Sequence, residues 1–423
     1  MKTRALLLKT LLAAAVKASA AFIAFFLTVA ITRLLGASES GLFLLAISIL
    51  SFGSVFFRLG LDNVIVRLIG GSKGATDSIG AMSTALIWSL LSAITVTLFI
   101  TLTSESIAVH LFEKPEFANV LLIMIWALPF MVVFMLLGFG FQAFYRVIAA
   151  TFFQNLGISF FFLCLIGIIY FAGYTPDLNA AYISYFYVGS AVAVCFVALI
   201  MWHRQIKGAW GSFRFKNHDM WRSSSNLWAA TTMSLAVQWS GVLIAGALVS
   251  SSEVAYLTAA QRTAMLTSFV LMVVNMVVAP RYALLWKENK ISEIQRLARW
   301  STRGMILLVL PIIAIMLFLP DFIMGLFGDE FAVAGNLLVI MAIGQFINVA
   351  TGSVGYLLNM SGHERDFRRV TMFAGPLTII LSYFFVVQWG VIGAAVATAV
   401  GLSLQNVGAL FMVRKRLGFW PIG

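Results

Sequence analysis

The chain has 423 residues, 61% of them hydrophobic and only 10% charged, with a net charge of +12. At a mean hydropathy of +0.98 this excludes a soluble globular domain and indicates a polytopic membrane protein. The apolar runs are continuous and do not alternate over about ten residues, so the spans are helices and not barrel strands.

The N-terminus carries Lys2, Arg4 and Lys9 ahead of an apolar stretch. "ASA" at 18–20 mimics a signal cleavage site, but the apolar run continues to Leu35, so the stretch reads as an uncleaved first helix. Apolar runs broken by charged or Gly/Pro loops predict twelve spans, at 11–35, 41–57, 79–101, 118–142, 149–172, 181–202, 224–248, 254–280, 303–320, 331–357, 371–388 and 391–412. With the N-terminus placed in the cytoplasm, 24 of the 28 Lys and Arg fall on the cytoplasmic side and only Lys114 falls outside. The predicted protein is therefore multi-pass, with both termini cytoplasmic.

That bias accounts for the positive charge without nucleic acid. The run "HRQIKGAWGSFRFKNHDMW", His203 to Trp221, mixes cations with aromatics and reads as an interfacial linker on an anionic leaflet. It divides the chain into an N-lobe at 1–203, a basic cytoplasmic linker at 204–222 and a C-lobe at 223–423, with six spans in each lobe. At an offset of 213 the halves echo one another. Val29/Val242, Ile31/Ile244, Leu35/Leu248, Ser38/Ser251, Leu44/Leu257 and Ala46/Ala259 are identical, and the short outer loops "GASES" and "VSSSE" coincide. An even number of spans per half implies parallel repeats about an axis along the membrane normal, a transporter architecture. The expected fold is all-α, with two six-helix lobes related by pseudo-two-fold symmetry.

Three cations fall inside spans: Lys17, Arg33 and Arg262. A charge at mid-membrane costs about 2.5–3.5 kcal/mol on insertion scales, so such residues usually line a cavity. Arg262 lies eight residues into the eighth span, about 12 Å deep by helical rise; the competing reading is a structural arginine held by neighbouring carbonyls. Lys17 and Arg33 lie near the two ends of span 1, where snorkelling competes with function. They are also about 160° apart on a straight helix, so both face one lumen only if the helix bends. None of the 16 Asp and Glu falls inside a span. A purely cationic interior favours anionic cargo, and phosphate suits Arg and Lys.

Polar stripes suggest a wet interior. Gln345, Asn348, Gly352 and Asn359 fall within about 60° on span 10, and Gln261, Ser268 and Asn275 within about 40° on span 8. Thr231, Ser234 and Gln238 repeat on span 7. Interhelical hydrogen bonding is the alternative use of each. Pro129, Pro311 and Pro376 are candidate kinks. Cys164 and Cys195 lie in apolar runs, and no His or Cys spacing suits a metal, so no cofactor is expected.

Several segments resemble polysaccharide flippases: "ITRLLGASESGLFLLAISIL" (31–50), "LGLDNVIVRLIG" (59–70), "GYLLNMSGHERDF" (355–367) and "GVIGAAVATAVG" (390–401). In order and spacing the chain resembles the oligosaccharide-flippase branch of the multidrug/oligosaccharidyl-lipid/polysaccharide (MOP) exporter superfamily, with twelve spans rather than fourteen. The resemblance implies a flippase and not an enzyme. Its cargo would be a polyprenyl-diphosphate-linked oligosaccharide, such as an O-antigen unit for lipopolysaccharide, moved from the cytoplasmic to the periplasmic leaflet of a bacterial inner membrane by alternating access. It also implies H⁺ or Na⁺ coupling and polysaccharide polymerase or assembly proteins as partners. The lack of an embedded carboxylate argues against ion coupling. By location, Arg262, Lys17 and Arg33 would hold the diphosphate, with Gln238, Gln261, Ser268, Asn275, Gln345 and Asn348 toward the glycan. Three alternatives stand beside this one. The first is a multidrug or cation antiporter of the same superfamily. The second is a glycan-polymerising membrane enzyme, which the short longest outer loop at 102–117 disfavours. The third is a non-transporting scaffold.

Overall fold

The structure, a computed structural model, describes residues 2–71, 75–171, 178–206 and 218–422. Residues 207–217, the middle of the expected linker, lie outside the described residues. Every regular element among the described residues is a helix. In chain order these are α1 (Lys2–Phe56), α2 (Leu61–Gly71), α3 (Ala75–Ser106), α4 (Phe117–Met124), α5 (Ala127–Ala143), α6 (Val147–Thr151), α7 (Gly157–Phe171), α8 (Ala180–Gln205), α9 (His218–Leu248), α10 (Ser251–Met265), α11 (Ser268–Lys287), α12 (Ile291–Phe318), α13 (Pro320–Gly325), α14 (Gly335–Ala350), α15 (Val354–Met360) and α16 (Glu364–Leu417). Short π and 3₁₀ turns join some of them.

Ten helical stretches among the described residues are long and apolar enough to cross a membrane. Two of these contain a pair of expected spans each. Ser19–Phe56 has 38 residues and Glu364–Leu417 has 54, about 57 and 81 Å if straight, against a hydrocarbon core of about 30 Å. Each is broken by a glycine in a conformation other residues avoid: Gly36 at φ 72°, ψ 175° and Gly390 at φ 56°, ψ −138°. At Gly390 the chain doubles back. Asp366 and Arg416, fifty residues apart in sequence, meet at 2.7 Å. Small residues let the two arms of α16 approach: a side chain at Gly401 would strike Thr378, and one at Gly408 would strike Val370. Divided at these glycines, the ten stretches are the twelve expected spans.

Of the prolines expected to kink spans, Pro311 and Pro376 sit inside α12 and α16, as Pro280 does inside α11, and no residue beside them leaves the helical region. Pro129 lies in the first turn of α5, where its missing N–H costs nothing.

The described chain forms two compact units, Met1–Thr232 and Met233–Gly423, dividing within α9. In the first unit, Phe43, Phe134, Phe141, Phe162 and Trp202 are wholly buried. Phe43 stacks on Phe162 at 6.0 Å and meets Tyr187 edge-on at 5.9 Å. Glu39, in "GASES", accepts a hydrogen bond from the Ala180 backbone N–H at 2.7 Å. The carboxylate thus sits at the N-terminus of α8, where unsatisfied N–H groups and the helix dipole favour a negative charge. Glu253, in "VSSSE", instead completes a capping box with Ser250 at the start of α10. The repeat is clearest in the cores: Leu44 and Ala46, like their counterparts Leu257 and Ala259, are all at most 1% exposed.

Between α1 and α2 the chain turns at Leu59 (φ 55°) and Gly60 (φ 69°). The start of α9 closes over this corner: Trp228 Nε1 donates to the Phe56 carbonyl at 2.8 Å and Ser224 Oγ to that of Leu59. Beside it, Arg58 and Asp62 form a buried pair with Nε–Oδ2 at 3.5 Å, the guanidinium lying 5.5 Å from the Phe139 ring centre. Burial pushes the Arg58 pKa down, and the Asp62 charge opposes the shift.

In the second unit, Val278 and Tyr282 of α11, Ile294 and Ala298 of α12, Val354, Leu357 and Leu358 of α15, and Ala409, Val413 and Leu417 of α16 form one core. α14 ends where Gly352 adopts φ 79°, and a side chain there would collide with Thr302 of α12. This reversal separates Asn359, which is exposed on α15, from the stripe expected with Gln345 and Asn348.

Candidate functional site

The eighth span is two helices, and that break reorganises the expected polar stripe. Leu266 and Thr267 bond back three residues, to the carbonyls of Thr263 and Ala264. The Thr267 hydroxyl also donates to Ala264 O at 2.7 Å. The resulting tight turn ends α10 and starts α11 at Ser268. Gln261 and Ser268 therefore serve different neighbours.

Gln261, 3% exposed, donates from Nε2 to the Gln238 carbonyl of α9 at 2.7 Å. Its Oε1 is buried without a protein partner. The Gln238 side chain reaches Met265 Sδ at 3.5 Å. Ser268 Oγ donates to Gln345 Oε1 of α14 at 2.8 Å, and Asn348 Nδ2 donates to the same oxygen at 3.1 Å. Gln345 is 5% exposed, while Ser268, Asn348 and Gln238 are half-buried. Asn275, seven residues beyond Ser268 and so on the same face of α11, is 6% exposed with Oδ1 unpartnered.

Of the sequence candidates, the structure thus brings together Gln238 with Gln261, and Ser268 with Gln345 and Asn348, all within the second unit. Arg262 follows Gln261 in the last turn of α10 and is half-buried. Arg33 is exposed on α1, in the first unit, three residues before the Gly36 break. The Lys17 side chain lies outside the described residues.

Several polar groups escaped the sequence reading. Ser240 of α9 meets Ser382 of α16 at 3.2 Å between hydroxyls. Thr302 and Ser353 hold buried hydroxyl oxygens without protein partners. Single hydroxyl residues are common in apolar helices and carry no distinguishing pattern. Only the positive φ at Gly352 marks Thr302 and Ser353, and a sequence does not display φ. Among the described residues, the two deeply buried acids are committed to arginines: Asp62 to Arg58, and Asp366 to Arg416 through bonds of 2.7 and 3.0 Å.

The amides form two sets that bond across helices, Gln261 with Gln238 and Gln345 with Ser268 and Asn348; amides of this kind and an arginine are groups that suit hydroxyl-rich or phosphate-bearing ligands. The described residues hold no group of three His, Cys, Asp or Glu suited to a metal ion.

The chain matches a family model described as "Polysaccharide biosynthesis protein" over residues 6–286 and one described as MatE over residues 230–384. A 173-residue stretch, 40% of the chain, is 30% identical to the probable low-salt glycan biosynthesis flippase Agl15 of Haloferax volcanii and takes in 36% of that protein's length. Among solved structures, an inward-facing multidrug resistance MATE family transporter of the MOP superfamily aligns with a TM-score of 0.74 and 15% identity, covering 95% of this chain and 94% of that one. The lipid II flippase MurJ, in an inward closed conformation, aligns with 0.74 and 14% identity, covering 96% and 87%. At such identities the structural likeness speaks for the fold, which is that of the MOP superfamily.

Proposed function

From the premise that this chain belongs to the polysaccharide biosynthesis protein family of the MOP superfamily of transporters, we propose that it flips a polyprenyl-diphosphate-linked oligosaccharide. The direction is from the cytoplasmic to the periplasmic leaflet of a bacterial inner membrane, by alternating access, for O-antigen or another surface polysaccharide. Both termini are cytoplasmic in this reading. Residues 1–203 and 223–423 act as functional lobes joined by the basic linker 204–222. No cofactor is required, and an H⁺ or Na⁺ gradient or the cargo's own chemistry drives transport. Polysaccharide polymerase or assembly proteins would receive the cargo.

The observation that carries the cargo assignment is a half-buried cation, Arg262, in the last turn of α10 of an apolar helical unit that also holds buried and half-buried amides. Arg262, with Lys17 and Arg33, is assigned to the diphosphate. Exposure divides the polar set. Gln238, Ser268 and Asn348 are open enough to meet a glycan, whereas Gln261, Gln345 and Asn275 are nine-tenths buried, with Gln261 bonded to Gln238 and Gln345 to Ser268 and Asn348. Replacing Arg262 or Lys17 by Ala should abolish surface glycan while leaving the protein's membrane abundance normal. Wild-type glycan in both variants would remove the assignment.

The MatE match over residues 230–384 favours a second reading, a multidrug or cation antiporter. Drug efflux that rises on overexpression, with no glycan defect on deletion, would decide for it.

A further inference from the structure

Arg281, Leu284 and Leu285 of α11 and Glu293, Arg296, Leu297 and Trp300 of α12 line a groove of about 330 Å³. It lies wholly within the second unit, away from the amide cluster. The spacing is that of two facing helix stripes: i, i+3, i+4 on α11 and i, i+3, i+4, i+7 on α12. We propose that this groove binds the headgroup of an anionic glycerophospholipid of the surrounding leaflet, with the arginines on its phosphate and an acyl chain along the leucines and Trp300.

Charge comes first. Neither Arg281 nor Arg296 takes part in any ion pair formed among the described residues, and the one carboxylate in the groove, Glu293, is drawn toward Lys290 at 3.9 Å. Two guanidinium groups and one carboxylate leave a net charge of +1, which matches a phosphodiester monoanion. A guanidinium fork binds phosphate oxygens in a bidentate way. Two arginines also exclude a metal cation as occupant.

The apolar half of the groove selects a lipid over a soluble phosphate. Leu284 is 57% exposed and Trp300 67%. Beyond Trp300 the outer face of α12 continues as Leu307, Leu308 and Leu310, each more than half exposed. Trp300 is nine residues into α12, about 14 Å from its start, where an interfacial tryptophan marks the passage from headgroup to hydrocarbon. Lys287 of the same hairpin adds to the attraction of an anionic surface, while Lys290 is engaged by Glu288 at 2.9 Å.

The groove is also preformed. Behind it Tyr282, Ile294 and Ala298 are at most 2% exposed, and Tyr282 Oη and Ser301 Oγ meet at 3.4 Å. Arg299 is turned the other way, donating from Nε to the Trp420 carbonyl at 3.3 Å. A lipid bound here meets walls that need no reorganisation. The site requires only that the chain lies in a membrane, and it stands whatever the transported cargo is.

The test uses the full-length purified protein and native mass spectrometry, with phosphatidylglycerol and phosphatidylcholine of identical acyl chains supplied at equal concentration. The wild type should retain phosphatidylglycerol preferentially. Arg281→Ala or Arg296→Ala should each lower that preference about fivefold, and the double variant more, by the energy of an arginine near an anionic surface. A control removing two cations elsewhere, Arg365→Ala/Lys415→Ala, should leave it unchanged. In vesicles, brominated phosphatidylglycerol should quench wild-type fluorescence more than that of Trp300→Phe. Equal retention of the two lipids, or equal loss in both double variants, overturns the proposal. So does displacement of phosphatidylglycerol by stoichiometric polyprenyl diphosphate, which would assign the groove to a cargo headgroup.

Discussion

Gly60 provides the sharpest test of how the first unit is held together. It has φ 69°, and a Cβ built on it would lie 2.5 Å from the Trp228 backbone nitrogen and 2.6 Å from the Ser224 carbonyl oxygen. These are main-chain atoms of α9, so no side-chain rotation relieves the contact. In Gly60→Ala the left-handed backbone alone costs about 1–2 kcal/mol. Moving α9 aside also loosens the Trp228 Nε1 bond to Phe56 O and the Ser224 Oγ bond to Leu59 O, at about 0.5–1.5 kcal/mol each. The total is about 2–5 kcal/mol. At about 2–4 °C per kcal/mol for a unit of this size, the Tm in detergent should fall by about 4–20 °C. Fluorescence-detected size exclusion after a heating series would measure it. Trp228→Phe removes one hydrogen bond and part of the ring packed on Phe56 but forces nothing apart, so it should cost only about 1–2 kcal/mol. If Gly60→Ala melts with the wild type, α9 does not close on this corner, and the account of the turn is wrong.

Two further variants probe the buried polar groups. Asp62→Asn leaves Arg58 charged at 6% exposure without its counterion. It should destabilise by about 3–5 kcal/mol, while Arg58→Met/Asp62→Leu recovers most of the loss because an apolar pair needs no desolvation; a melting series on both variants decides it. Gln345→Leu strips the shared acceptor from Ser268 and Asn348 and should cost about 1–3 kcal/mol in thermal stability, whereas Ser268→Ala, which removes one donor, should cost less. Equal melting of Gln345→Leu and wild type would show that this cluster is not fastening α14 to α11.

The fate of the polar stripes shows where a helical wheel stops working. Gln261, Ser268 and Asn275 align only if span 8 is one helix. The Thr263–Thr267 turn rotates α11 relative to α10, so Gln261 meets α9 and Ser268 meets α14. Gln345 and Asn348, three residues apart on unbroken helix, do meet, Asn348 Nδ2 donating to Gln345 Oε1, as their spacing allows. Asn359 lies beyond Gly352 and leaves the stripe. Short-range periodicity survives into the fold; periodicity carried across a break in the helix does not. The pairs Glu39–Ala180 and Asp366–Arg416 were invisible for a different reason. Their partners are 141 and 50 residues apart, and an acid near a helix end looks the same whichever donor it meets.

Sequence alone determined that this chain lives in a membrane and is built of apolar helices that cross it twelve times. Each of these follows from transferring a whole segment between water and hydrocarbon, which depends on composition and length and not on neighbours. The tertiary structure decided which amides share a hydrogen bond, which arginine a buried aspartate holds, and where two facing stripes leave a cationic groove. Those outcomes turn on a few ångströms between side chains brought together by the fold, as when the Thr263–Thr267 turn divides the amides and the reversal at Gly390 brings Asp366 to Arg416.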